Sequence, residues 1–476
     1  MSWYFGPSKA EIETEDGHPP LAVQGGGVFF PPDSPAIATL REHYRLINPE
    51  YRVASGMHKR GKYIAMPPKY IEACREIPYD HPWGGGLAVP RCANVGQVRR
   101  VVKMTCPEAT PVSLVPEIKL RPYQEVAVRS LLSRQEGIVI APCGSGKTTI
   151  GMGAIAAIPS RALVLVHTKD LAEQWITRCK EQLDVDATLI GGGSSDDSGR
   201  VVVALFQTLT NLRWPERYAW AKQFGLVIVD EAHHTPAETF SDVMMTMPAK
   251  YRLGLTATPT RADGLTDILY WHFGTKLHEI TTKTLMESGV VMSPKVVLMQ
   301  TGWSPPRDHE WVKMINKMVK DPARNAFIED VAMQLLQSGR QVLLLSDRVA
   351  HCELMAGRFQ DRGIESEALV GRLSKKRRKE LLERADSGEI RVVTATTLAD
   401  EGLDLPGLGA VILTVPTKNM PRVQQRIGRV MRTSEGKKTP VVIDLMDNAG
   451  SMRGMAQKRC RLYRDLGCQF ADMEEV

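Results

Sequence analysis

Ala141-Pro-Cys-Gly-Ser-Gly-Lys-Thr-Thr149 follows an apolar run, Gly137-Ile-Val-Ile-Ala141, and precedes an Ala-, Ile- and Met-rich stretch, Ile150 to Ile158. The run reads as a short buried strand and the stretch after it as a helix. Strand, glycine-rich loop and helix form the context that a phosphate-binding loop requires. Gly144 and Gly146 let the backbone bend close to phosphate oxygens, so that after Pro142 the N–H groups of Cys143, Gly144, Ser145, Gly146 and the residues that follow form an anion cradle. The helix N-terminus adds partial positive charge. Lys147 can neutralise the outer phosphates, the Thr148 hydroxyl can ligate Mg²⁺, and Thr149 completes the motif. The first position is Ala141 rather than Gly, the looser form of the pattern.

From about residue 118, short apolar strands alternate with helical stretches, which predicts a parallel α/β sheet. The expected strands are Ile138 to Ala141, Ala162 to Val166, Val201 to Leu205, Leu226 to Val229 and Arg252 to Leu255. Their near-continuous Val, Ile and Leu runs suit strands covered on both faces. Gly191 to Gly199 reads as a polar flexible connection. Residues 286–325, with Pro294, Pro305 and Pro306, read as an interdomain segment. A second alternating series opens near 326, with strands Val342 to Leu345, Glu367 to Val370, Arg391 to Thr394, Val411 to Thr414 and Val441 to Leu445. The organisation is therefore a small α+β accessory domain over 1–117, a sheet domain over 118–285, a connecting segment and a second sheet domain over 326–476.

The chain of 476 residues is long enough for two or three domains, and its charged and hydrophobic fractions are ordinary for a globular protein. No run approaches the length of a membrane helix. The N-terminus lacks a basic region followed by a long apolar one, and the 8 cysteines show no C-x-x-C pair, so reduced thiols in the cytoplasm are expected. Cys74, Cys92 and Cys106 are not at zinc-ligand spacing. The formal net charge of +7 permits a polyanionic partner without demanding one. Met57-His-Lys-Arg-Gly-Lys-Tyr63 mixes base with aromatic and suits either nucleic-acid contact or an ordinary solvated face.

Leu226-Val-Ile-Val-Asp-Glu-Ala-His-His234 is an apolar strand ending in acids, where an α/β sheet presents ligands. It falls about eighty residues after the phosphate loop. Mg²⁺ keeps an octahedral shell and takes only one or two carboxylates. Asp230 suits that role, and Glu231 would orient or deprotonate an attacking water. Gln424-Gln-Arg-Ile-Gly-Arg-Val-Met-Arg432 repeats arginine at helical spacing. A planar guanidinium can meet two γ-phosphoryl oxygens at once. One supplied from a second lobe would make hydrolysis depend on closure, an effect of roughly 10³–10⁵ in rate.

With these motifs in place, residues 118 to 445 resemble the superfamily 2 helicases. The resemblance implies two tandem RecA-like parallel-sheet lobes, ATP and Mg²⁺ as cofactors, and a nucleic-acid substrate. Arg121-Pro-Tyr-Gln124 is similar to the adenine-reading element, with Arg121 and Gln124 at the nucleotide. Leu253-Gly-Leu-Thr-Ala-Thr-Pro259 is similar to the segment coupling nucleotide state to closure. In Thr394 to Pro406, the resemblance places Thr396 on the nucleic-acid backbone and Gly402 and Asp404 at the nucleotide. In Gln424 to Arg432 it makes Arg429 and Arg432 arginine fingers and Gln425 a nucleotide or water contact. His167 and Thr168, Gln207 and Thr208, and Ser346, Asp347 and Arg348 are the matching nucleic-acid candidates. The basic cluster Lys375 to Lys379 reads as a further contact or as a solvated helix face.

Arg324-Asn325, Arg261-Ala-Asp263 and the Asp-Glu-Ala-His-His string resemble the XPB and phage UvsW type of DNA helicase, with Ala262 standing where XPB carries Glu. About forty residues follow Arg432, which leaves no room for the C-terminal domains of the splicing-type RNA helicases. The expectation is an ATP-dependent DNA helicase with a monomeric core, acting on forked or branched DNA rather than RNA, with no membrane partner. A duplex translocase that never separates strands is the first alternative. A nucleic-acid-binding scaffold with weak ATPase is the second.

Overall fold

The computed structural model describes residues 22–24, 27–30, 32, 34, 37–59, 65–77, 85–92, 102–104, 109–112, 118–142, 144–231, 237–257, 264–305, 310–396, 405, 407–417, 420, 423–424, 427–428, 431, 433, 436–448 and 450–476. The chain forms two compact units, Met1–Ala141 with Gly146–Ile280, and Pro142–Ser145 with Thr281–Val476.

The first unit is built on an eight-stranded sheet. Its order is Ser194–Ser195, Thr188–Gly191, Val201–Leu205, Ala162–Val166, Leu226–Asp230, Tyr251–Thr256, Glu136–Ile140 and Lys276–Glu279. All neighbours run parallel except the first pair. The strands Ala162–Val166 and Leu226–Asp230 are buried along their whole length, which is why they read as unbroken apolar runs. Register aligns their exits: Leu205 pairs with Val166, Val229 with Leu165, Asp230 with Leu255, and Thr256 with Ile140. The carboxyl ends of five strands thus reach one edge together, the edge at which ligands bind in such sheets.

The Gly191–Gly199 stretch differs from its expectation as a loose connection. Gly192 and Gly193 both have positive φ, 65° and 99°, and close a two-residue hairpin between Gly191 and Ser194. Two left-handed residues are what such a turn demands.

The second unit carries a seven-stranded sheet, ordered Ser366–Leu369, Val392–Ala395, Val342–Leu345, Ala410–Leu413, Val441–Met446, Lys295–Gln300 and Gln469–Phe470. Every pairing in it is parallel. Residues 286–325 are not a mere connector. Lys295–Gln300 inserts beside Val441–Met446, and the helices Trp311–Met318 and Pro322–Gln337 follow. Pro294 sits just before the strand, a position that needs no ladder donor, so the proline marks an edge of the element and not its absence.

Before residue 118 the described chain adds a five-stranded, largely antiparallel sheet, a two-stranded one, and the helices Ile37–His43 and Pro49–His58. This region is sewn to the phosphate-loop sheet. Arg91 is fully buried, ion-pairs with Glu136 at 2.9 Å and donates to the Ala249 carbonyl at 2.7 Å. The Cys92 N–H donates to the Trp271 carbonyl at 2.9 Å. Ser241 Oγ donates to the Ala73 carbonyl at 3.3 Å and lies 2.9 Å from His272 Nε2. Tyr44 meets the Trp271 ring edge-on at 4.9 Å. No helix among the described residues is long and apolar enough to cross a membrane.

Candidate nucleotide and nucleic-acid sites

The phosphate loop leaves the strand Glu136–Ile140 and enters the helix Lys147–Ala157. Gly144 and Gly146 have φ of 85° and 76°, the left-handed region that glycine adopts without strain. Gly146 is also crowded: a Cβ there would stand 2.5 Å from Gln124 Nε2. Gln124 in turn accepts from the Arg121 backbone N–H at 2.9 Å and is buried. The two elements expected to meet a nucleotide, Arg121–Gln124 and the loop, are therefore brought together. Gln124 ties the start of the helix Pro122–Arg134 to the loop.

Asp230 ends the strand two places from Glu136–Ile140 in the sheet, and Glu231 follows it with φ 49°. A non-glycine residue in that region is uncommon and clusters at functional sites. Lys147 Nζ lies 3.1 Å from Glu231 Oε1 and 3.4 Å from the Ala141 carbonyl. Asp230 is buried; Oδ2 accepts from Trp175 Nε1 at 2.8 Å, while Oδ1 is buried with no hydrogen-bond partner among the described residues. Burial first, and then the charge of Glu231, push the Asp230 carboxyl above its ordinary range, with Lys147 and the Trp175 N–H opposing. A cation placed at Oδ1 would relieve both effects.

Sequence reading missed Trp175. It lies on the helix Lys169–Leu183, whose buried stripe is Ala172, Trp175, Cys179 and Leu183. That periodicity marks the residue as core, but nothing local says that its N–H reaches a carboxylate 55 residues on. Gly151 makes the reach possible. A Cβ at Gly151 would stand 2.3 Å from the indole, so only glycine lets the ring lie against the phosphate-loop helix.

The nucleic-acid candidates of the first unit fall at adjacent strand exits. Thr168 caps the helix Lys169–Leu183, accepting from the Leu171 N–H at 3.3 Å, with His167 before it. Gln207 is exposed and Thr208 half-buried on the short helix Phe206–Leu209. In the second unit Arg348 donates to Asn316 Oδ1 at 3.0 Å. Thr396 is buried, and its hydroxyl has no hydrogen-bond partner among the described residues.

Ser346 is not available as a surface contact. It is buried and lies 2.9 Å from His351 Nδ1, while His351 Nε2 lies 3.1 Å from Asn325 Oδ1. Arg324 is buried too, forked onto Asp447 at 2.8 and 3.0 Å. The Arg324-Asn325 pair therefore holds the second unit together from within. Cys143, Ala232 to Pro236, Arg261 to Asp263, Gly402, Asp404, Gln425, Arg429 and Arg432 lie outside the described residues.

Residues 117–261 match the type III restriction enzyme res subunit family, and residues 325–434 match the helicase conserved C-terminal domain. A protein of Escherichia phage T5 described as a probable helicase is 26% identical over 359 residues, covering 75% of this chain and 78% of its own. The DNA 3'-5' translocase XPB2 of Sulfurisphaera tokodaii is 25% identical over 393 residues, covering 74% and 87%. The XPB subunit of the general transcription and DNA repair factor IIH of Drosophila melanogaster is 25% identical over 352 residues, covering 68% and 43%. The chain thus spans from less than half to most of the length of the curated relatives it matches. The solved structure of S. cerevisiae Dbp5 bound to RNA and ADP BeF3 superposes with a TM-score of 0.53 at 17% identity, covering 75% of this chain and 91% of that one. At that identity the likeness establishes the fold, and the two sheets are RecA-like.

Proposed function

We propose that this chain, which by its two matched domains belongs with the superfamily 2 helicases and resembles the XPB and phage type, is an ATP-hydrolysing motor whose track is DNA. The supporting observation is the meeting of Lys147 and Glu231 at 3.1 Å beside a buried Asp230 whose Oδ1 has no partner among the described residues. An orphaned buried carboxylate oxygen fits Mg²⁺, with the Thr148 hydroxyl as second protein ligand. Bound Mg·ATP supplies the phosphoanhydride and the divalent charge. The backbone of Pro142 to Thr149 would orient it, and Lys147 would share its cation between Glu231 and a phosphate oxygen. Glu231 Oε1 or Oε2 would take the proton of the attacking water. By resemblance, Gln425, Arg429 and Arg432 compensate developing charge, and Arg121, Gln124, Gly402 and Asp404 hold base and ribose. His167, Thr168, Gln207, Thr208, Arg348 and Thr396 are assigned to the DNA backbone.

The substrate proposed is forked or branched DNA. A second reading, duplex translocation without strand separation, is favoured by the restriction-enzyme match and by the similarity to the DNA 3'-5' translocase XPB2 of Sulfurisphaera tokodaii. ATPase stimulation by single-stranded, duplex, forked and four-way DNA, with RNA as control, tests the main reading. Lys147→Ala should abolish turnover while DNA binding persists. Glu231→Gln should retain ATP and stop hydrolysis; a variant hydrolysing at the wild-type rate would remove Glu231 from the mechanism. Triplex displacement without unwinding of a fork would select the second reading.

A further inference from the structure

The helix Gly450–Asp465 (GSMRGMAQKRCRLYRD) carries five cations and one carboxylate. One cation is spent inside. Arg459 is buried and forks onto Asp444 at 2.7 Å through Nε and Nη2, and Tyr463 OH donates to the same carboxylate at 2.6 Å. Together with buried Met452, Met455 and Ala456 this fixes one face of the helix on the strand Val441–Met446. Arg453, Lys458, Arg461 and Arg464 are all exposed. At about 100° per residue they fan over an arc of roughly 140° opposite the buried stripe, and they span about 16 Å along the axis.

None of these four has an ion-pair partner among the described residues. Arg453 donates to the neutral Asn448 Oδ1 at 2.7 Å, and Arg464 lies over the Phe470 ring at 5.6 Å. The helix Lys375–Asp386 is the contrast. There Arg377 pairs with Glu367 and Glu380, Lys379 with Glu383, and Arg384 with Glu365, Glu367 and Glu389. Arg372 beside it pairs with Glu353. Binding to a polyanion gains chiefly from cations that replace condensed counterions. A cation already seated on a carboxylate must give that partner up first. The two basic helices therefore differ in kind although both look basic in sequence.

We infer that the outward face of Gly450–Asp465 is a contact surface for the phosphate backbone of DNA, formed by Arg453, Lys458, Arg461 and Arg464. The inference rests on the reading of the chain as a DNA motor and adds a surface outside every motif used for that reading. It reads no sequence, since it offers charge and no groove-shaped element.

The test uses the full chain, with labelled duplex and forked DNA titrated by fluorescence anisotropy across a range of salt. The variant R453Q/K458Q/R461Q/R464Q should weaken binding roughly tenfold or more near 0.1 M salt. It should also lower the slope of log K against log salt by up to about 3.6, at 0.9 per phosphate contact. R377Q/K379Q/R384Q, which removes cations already seated on carboxylates, should change the slope by less than about 1. The charge-keeping R453K/R461K/R464K should retain the wild-type slope, which separates charge from folding. An unchanged slope in the quadruple variant, with DNA still bound, overturns this inference alone and leaves the face to solvent or to an acidic protein. A wild-type chain that binds no DNA overturns it together with the proposed function.

Discussion

Trp175 joins three parts of the first unit that sequence keeps apart: its own helix, the phosphate-loop helix at Gly151 and the acid Asp230. Its N–H is the one hydrogen bond to Asp230 from another side chain among the described residues. Trp175→Phe keeps most of the bulk and removes the donor. Loss of a hydrogen bond to a charged group costs about 1.5–3 kcal/mol, and partners that orient metal ligands change metal affinity about 10–100-fold. The variant should therefore need roughly tenfold more Mg²⁺ for half-maximal ATPase, with a matching loss of Mn²⁺ affinity measured by electron paramagnetic resonance. Unchanged Mn²⁺ affinity would reduce Trp175 to packing. Lys147, Asp230 and Glu231 were legible because their spacing and their place at strand ends are local signals. Trp175 was not, because a helical stripe records only burial and is silent about a polar tip.

The phosphate-loop helix shows two local rules in conflict. Glycine inside a helix costs about 1 kcal/mol relative to alanine, so Gly151→Ala should be a gain by propensity alone. The indole contact at 2.3 Å from the added Cβ reverses that, since overpacking costs about 1–3 kcal/mol. Urea unfolding should show Gly151→Ala to be less stable than the wild type, and a rise in stability would mean that the ring is not held there. The sheets were readable as strand runs because buried parallel strands need no alternation. Lys295–Gln300 is masked in the sequence because the prolines near it outweigh its own apolar Val-Val-Leu-Met. The basic cluster at 375–379 and the C-terminal helix could not be ranked from sequence, since pairing with Glu365, Glu367 and Glu389 depends on how the sheet folds back on itself.

The two units each bury a histidine in neutral form. Burial, and next the charge of Arg252, hold His272 well below the usual 6.5. Burial, and next Arg324, hold His351 down at about 3, with Ser346 and Asn325 on its two nitrogens. The unfolded chain takes up these protons near 6.5 and the folded chain does not. The stabilisation is therefore complete above about pH 6.5 and is lost as pH falls below it, at about 1.4 kcal/mol per pH unit for each histidine. His351→Gln should flatten the acid slope of unfolding free energy by that amount between about pH 6 and 4. An identical slope would mean that His351 titrates normally.

The buried cation at Arg91 and the amide at Cys92 belong to the amino-terminal region, while the groups they satisfy, Glu136 on a strand of the phosphate-loop sheet and the Trp271 carbonyl on the helix Asp267–Phe273, lie after residue 118. Exchanging the first hundred or so residues for an unrelated segment would leave a stranded acid at Glu136 and an unmet acceptor at Trp271. A working chimaera would have to import its own replacements for both, so this region cannot be traded as a cassette.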